Sequence, residues 1–200
     1  MKSTKAFLLT ALLIFVGGAI FAQSSRNVPL GEWSLPTNLK VQFDNGGHLF
    51  TITKIGNDYY TYAVDANDPT NYAEFYLKYK PASRTWNYYV KSYTDTAWKK
   101  GIPESYNEQN INNALTSTYF YSSMLTGRDI ARNRPVIGTE TVAGRSVEKR
   151  NNSSTFSHIY IDRQYNVALK IVFSLTSDVF FEVTSWDETV RNFGNANLPE

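Results

Sequence analysis

The chain has 200 residues with 20 Lys and Arg, 18 Asp and Glu, two His and no Cys, and its aromatic content of 14 Tyr, 12 Phe and 4 Trp is high. The absence of cysteine excludes disulfides, thiolate metal sites and a cysteine nucleophile. The near balance of charge provides no field for nucleic acid or an anionic membrane surface.

Residues 1–22 read as a secretory signal peptide. Lys2 and Lys5 form a basic start, Ala6 to Ile20 is apolar, and the Ala19-Ile-Phe-Ala22 stretch precedes Gln23 as a cleavage site would. The run is short for a bilayer span, which needs about 20 apolar residues. No cysteine follows it, so a lipid anchor is not expected. The reading is an exported protein, periplasmic or secreted, without a transmembrane span once the signal is removed. Cleavage takes two lysines and no acids, which leaves 18 basic against 18 acidic residues. A single core can hold the 178 residues that remain, because a domain of that size buries most of its unfolded surface.

Residues 23–32 are a polar, mobile leader by composition, and 33–200 read as one domain. Gly31-Glu32-Trp33 matches the tripeptide near the start of lipocalins, so a lipocalin-like barrel is the alternative fold. Leu39, Val41 and Phe43 alternate with polar residues, and Asp44-Asn45-Gly46-Gly47 predicts a hairpin into His48–Ile55. Gly56-Asn57-Asp58 turns into Tyr59–Val64. Tyr72–Tyr79 and Thr85–Tyr93 complete a five-stranded meander, and Trp98–Gly101 forms a ragged end to it.

One helix follows. Ser105-Tyr-Asn-Glu108 is a capping box, and Ile111, Ala114, Leu115, Thr118, Tyr119, Ser122 and Leu125 recur at helical spacing up to Gly127, a C-terminal cap. Arg128, Arg132 and Arg134 then form a basic loop. From Val136 to Trp186, short alternating runs are separated by turn signals at Ala143-Gly144, Asn151–Ser154, Arg163–Asn166 and Ser177-Asp178. Val167, Leu169, Ile171 and Phe173 are expected on one face, with Ala168, Lys170, Val172 and Ser174 on the other. Connections this short join only antiparallel neighbours. The fold class is therefore α+β: a single domain with a strongly curved antiparallel sheet, a half-barrel, and one main helix on its concave face.

Catalytic patterns are missing. His48 and His158 lie in separate strands without a metal-spaced companion, and no nucleophile elbow, phosphate loop or HExxH pattern occurs. A His158–Asp162 pair is the one proton-transfer arrangement that can be drawn. Asp58, Asp65, Asp68, Asp178 and Asp187 fall in turns, where Asp serves the backbone. Glu140 and Glu148 suit cross-strand pairs with Arg145 or Lys149. The expectation is no enzyme, no cofactor and no metal, with a small hydrolase as the weakest reading.

The residues Gly138-Thr-Glu-Thr-Val-Ala-Gly144, Ile159-Tyr-Ile-Asp162, Val167-Ala-Leu169-Lys170, Phe181-Glu-Val-Thr-Ser185-Trp and the closing Leu198-Pro199 resemble bacterial envelope proteins of the periplasmic lipoprotein-carrier superfamily. Leu35–Leu39 and Thr53–Tyr60 extend the resemblance into the first half. It implies an unclosed curved sheet that binds acyl chains or other apolar ligands in its concavity. With the inner-face aromatics, it leads to a binding module lined by Phe50, Ile52, Tyr60, Tyr62, Phe75, Leu77, Trp86, Tyr88, Met124, Leu125, Ile171 and Phe173. The partners expected are a lipid or apolar ligand, or alternatively an envelope protein that docks on exposed tyrosines or the arginine loop; nucleic acid is not expected.

Overall fold

A computed structural model describes residues 30–45, 47–100, 106–107, 120–151, 156–173 and 176–200. The signal segment, the capping box at Ser105 and the helical stripe from Ile111 to Tyr119 lie outside the described residues.

Strands β1 (Asn38–Asn45), β2 (His48–Ile55), β3 (Asp58–Asp65), β4 (Tyr72–Lys80) and β5 (Thr85–Ser92) form the first meander. The two-residue strands β6 (Lys99–Lys100) and β7 (Tyr106–Asn107) both pair with β5. Helix α1 (Phe120–Ala131) is followed by β8 (Val136–Val142), β9 (Arg145–Asn151), β10 (Phe156–Asp162), β11 (Val167–Phe173) and β12 (Val179–Asp187). All pair antiparallel in the order β6-β5-β4-β3-β2-β1-β12-β11-β10-β9-β8, with β7 beside β5. The first and last long strands meet at the middle of the sheet, so one seam, β1 against β12, joins the two meanders. The outermost strands β6 and β8 stand at opposite ends of this order, so the sheet is open and the lipocalin-like barrel is not adopted.

Alternation explains the core. Leu39, Val41 and Phe43 are buried while Lys40, Gln42 and Asp44 are exposed. Phe43 stacks on Phe50 of the neighbouring β2 at 4.7 Å and, across the seam, meets Phe181 at 5.4 Å. Each such side chain contributes about 1.5–3 kcal/mol through burial. The pairings from β1 to β5 run without interruption. Register shifts instead fall at the seam and between β8 and β9, β10 and β11, and β11 and β12. A bulge bends its strand and raises the local twist. Curvature therefore concentrates in the second half, where β8 comes back towards β12 although three strands separate them in the sheet order.

One bulge corrects an expectation. Tyr160 faces Lys170 but Ile161 faces Ala168, which skips Leu169. Strict alternation along β11 is lost, and Val167, Ala168, Leu169, Ile171 and Val172 are all buried. Ala168 thereby joins Ile171 beneath the helix.

The helix also runs past its expected end. Gly127 lies inside α1, and a Cβ there would stand 2.8 Å from both the Ala168 Cβ and the Ile171 Cδ1. The glycine permits close approach of helix to sheet and does not cap the helix. The real end is at Ala131, where Arg150 donates to the carbonyls of Ala131 and Arg134 at 3.3 and 3.1 Å. Gly127→Ala should gain about 1 kcal/mol of helix propensity but lose about 1–3 kcal/mol to overpacking. Because the Ala168 Cβ is fixed to its backbone, we expect net destabilisation in urea titrations. A more stable variant would mean that the helix can lift from β11 at little cost.

Arg128 is not part of a solvated loop either. It lies in α1, is buried, and donates to the Gly31 carbonyl at 2.6 Å and to Asp129 at 2.6 Å. Asn166 holds the Glu32 carbonyl at 3.0 Å and Leu30 is buried, so the chain is already fixed ahead of Trp33.

Candidate functional site

The two-residue turn Gly56-Asn57 closes β2 on β3 with Ile55 opposite Asp58, and this offset places Lys54 against Tyr59 and Ile52 against Thr61. Continued through β4 and β5, it gathers Phe50, Ile52, Phe75, Leu77, Trp86 and Tyr88 on the face of Phe43. Phe43 pairs with Val183 across the seam, and Ile171 pairs with Phe181. That face therefore continues to Ile171 and the helix.

The expected lining residues divide into three groups. Phe50, Ile52, Leu77, Trp86, Met124 and Ile171 are packed into the core. Trp86 spends its indole N–H on the Asn57 carbonyl at 2.7 Å. Phe75, Tyr88, Leu125 and Phe173 lie on the same side only half buried. Phe75 stacks on Tyr88 at 6.2 Å, and Phe173 meets Phe180 edge-on at 5.1 Å. Tyr60 and Tyr62 belong to the opposite face, because aromatic residues occupy both parities of β3 and the turn offset selects the odd ones for the interior. That offset was the available signal, since pairing Ile55 with Asp58 fixes the parity of the whole strand.

On the opposite face, Tyr60 and Tyr62 line a groove of about 530 Å³ with Lys40, Gln42, Thr51, Tyr72, Glu74 and Lys91. Residues Phe193 to Asn197 form its other wall. This C-terminal strap is fastened by Phe193, whose ring meets Tyr60 at 6.5 Å and Tyr76 at 5.8 Å, and by the Trp98 indole N–H on the Asn197 carbonyl at 2.6 Å. Glu74 accepts the Tyr60 hydroxyl at 2.7 Å and pairs with Lys91 at 3.4 Å. Burial first, then the Glu74 hydrogen bond and charge, push the Tyr60 phenol above its ordinary range. Burial, then Tyr72 and Glu74, raise Tyr62. Both remain neutral donors at physiological pH. None of the strap or polar groove residues was marked in the sequence as a site, because β-turn spacing says nothing about where a C-terminal tail returns.

A second, open pocket of about 490 Å³ lies beside the β8–β9 turn. Its centre, Arg145, pairs with Asp162, reaches Glu188 at 2.7 Å, and stands over the rings of Tyr165 and Trp186 at 4.8 and 4.9 Å. Asp162 also accepts the backbone N–H groups of Gln164 and Tyr165. With its donors and rings engaged, this cluster clasps β9 to the end of β12. The His158–Asp162 pairing is not formed: Asp162 is taken up by Arg145, while the His158 ring lies 6.5 Å from that of Tyr160, tilted by 52°. Burial and then Lys149 lower the His158 pKa. Of the cross-strand pairs expected around Gly144, Lys149 on Glu140 is present at 3.0 Å, whereas Glu148 pairs with the buried Arg150 of its own strand at 2.8 Å and Arg145 turns to Asp162 and Glu188.

Among the described residues no group of three His, Cys, Asp or Glu is placed to hold a metal, and no helix is long and apolar enough to cross a membrane.

No protein-family model matches the chain, and no curated protein matches it. Among solved structures, the crystal structure of MucB matches with 12% identity and a TM-score of 0.29, over 78% of this chain and 55% of that one. The chain spans about half the length of that protein. A likeness this slight carries no conclusion about the chain's function.

Proposed function

We propose that this is an exported binding protein that holds a lipid tail or another apolar ligand against the concave, helix-bearing face of its sheet. One observation carries the reading. Phe75, Tyr88, Leu125 and Phe173 share that face with the fully packed Phe43, Leu77 and Ile171, yet remain half buried. Apolar rings left partly uncovered on a concave surface are the usual lining of a small-molecule site, and an open sheet leaves an entrance for a chain-like ligand. The basic and apolar N-terminal segment supports export.

The test is native mass spectrometry of protein purified from the periplasm, with a lipophilic fluorescent probe added to the delipidated sample. We expect a co-purifying lipid or a saturable rise in probe emission. Phe75→Ala and Tyr88→Ala should weaken probe binding about tenfold, which corresponds to about 1.4 kcal/mol. No bound lipid and no probe response would overturn the reading.

A further inference from the structure

The groove beneath the C-terminal strap lies on the other side of the sheet from the proposed apolar site, and its chemistry is different. The outer face of a half-buried sheet is normally covered by Lys, Glu and Thr. Here Tyr62 and Tyr72 form an open aromatic floor, with their rings 5.6 Å apart and tilted by 32°. Phe193 of the strap meets the neighbouring Tyr60 and the buried Tyr76, while Tyr62 and Tyr72 stay half exposed. Polar groups ring the floor: Gln42, Glu74, Lys91 and the strap amide Asn197. Lys91 stands 3.4 Å from Glu74 and the remaining lining cation, Lys40, sits opposite Asp187 across the seam, so each charge has an opposite one beside it.

We propose that this groove binds a short neutral oligosaccharide. A pyranose ring has an apolar C–H face that suits a tyrosine ring, and a rim of hydroxyls that both donate and accept. Tyr supplies area together with a polar tip. Side-chain amides and a carboxylate provide donors and acceptors within a single ring's reach. Neither a strong anion nor a strong cation is favoured where acid and base already neutralise each other. The volume of about 530 Å³ lies within the range of small-ligand sites and suits two sugar units. Aromatic content alone suggests Tyr62 for the inside of the sheet, and the hairpin offset brings it to this groove.

The experiment is saturation-transfer NMR on the exported full chain with cellobiose, N,N′-diacetylchitobiose and, as a charged comparison, a sulfated heparin disaccharide. At about 10 mM ligand, a concentration that detects millimolar affinity, transfer to at least one neutral disaccharide is expected. Tyr62→Ala should reduce affinity at least tenfold, whereas Tyr62→Phe, which keeps the ring, should retain most of it. Phe75→Ala, on the opposite face, should leave sugar binding unchanged, so failure of the lipid reading and failure of this one are distinguishable. The proposal is overturned by the absence of transfer from both neutral sugars, by transfer indifferent to Tyr62→Ala in a variant with unaltered circular dichroism, or by binding confined to the sulfated sugar.

Discussion

Arg150→Ala is expected to cost about 3–5 kcal/mol, the loss typical of breaking a buried ion pair from one side. Arg150 is 0% exposed, pairs with Glu148 at 2.8 Å, and holds the carbonyls of Ala131 and Arg134 at the end of α1. The Ala131 carbonyl lies at the negative end of the helix dipole, so a cation there acts as a cap as well as a partner. Among the described residues, truncation leaves Glu148 with Arg163 at 3.4 Å and leaves polar atoms in a space that the guanidinium had filled. The melting temperature should fall on the order of 10 °C for a domain of this size. Arg150→Met keeps the volume and should lose less, with the remainder due to the unpaired groups, at about 1–3 kcal/mol each. The check is urea denaturation of both variants. A loss under about 1 kcal/mol for Arg150→Ala would show that water or a neighbouring arginine replaces the guanidinium.

Phe43→Ala should be of similar size, about 3–5 kcal/mol, but through packing. Phe43 is 1% exposed and stands where β1 meets β12, between Phe50 on its own meander and Phe181 on the other. The seam is the sheet's one link between its halves, and a register shift already interrupts it between Gln42 and Phe43. A cavity there weakens contacts on both sides at once. Phe43→Leu retains much of the apolar volume and should lose clearly less. Calorimetry distinguishes the cases. A single transition shifted downward for Phe43→Ala is the expected trace, because one continuous core cluster runs through both meanders and the helix across the seam. Two separate transitions would mean that the halves fold independently.

Much of the architecture was legible because it depends on local chemistry. Hairpin turns such as Asp44–Gly47 and Ala143-Gly144 demand residues that accept positive φ, and Ala143 and Gly144 adopt φ of 49° and 75°. Alternation in β1 then showed which residues go inside. The misreadings occurred where a distant segment decides. Gly127 looked like a helix end because glycine usually is one, but its reason is the approach of Ala168. Arg128 looked like surface charge and nothing local marks Arg150; the backbone carbonyls that hold them belong to residues 97 and as few as 16 positions away. Tyr60 and Tyr62 were assigned by aromatic content when the parity set by Gly56-Asn57 should have been followed.

By itself, then, the sequence determined an antiparallel sheet with a covering helix, since short turns and a period of two leave the backbone few other ways to satisfy its hydrogen bonds, while it took the tertiary structure to show that the sheet stays open. Only the tertiary structure decided where the sheet bends, which arginines are buried, and that the chain's last residues return across Tyr60 and Tyr76 to wall a groove. Those outcomes depend on bulges and long-range contacts, whose energies arise from groups that meet only after the chain has folded.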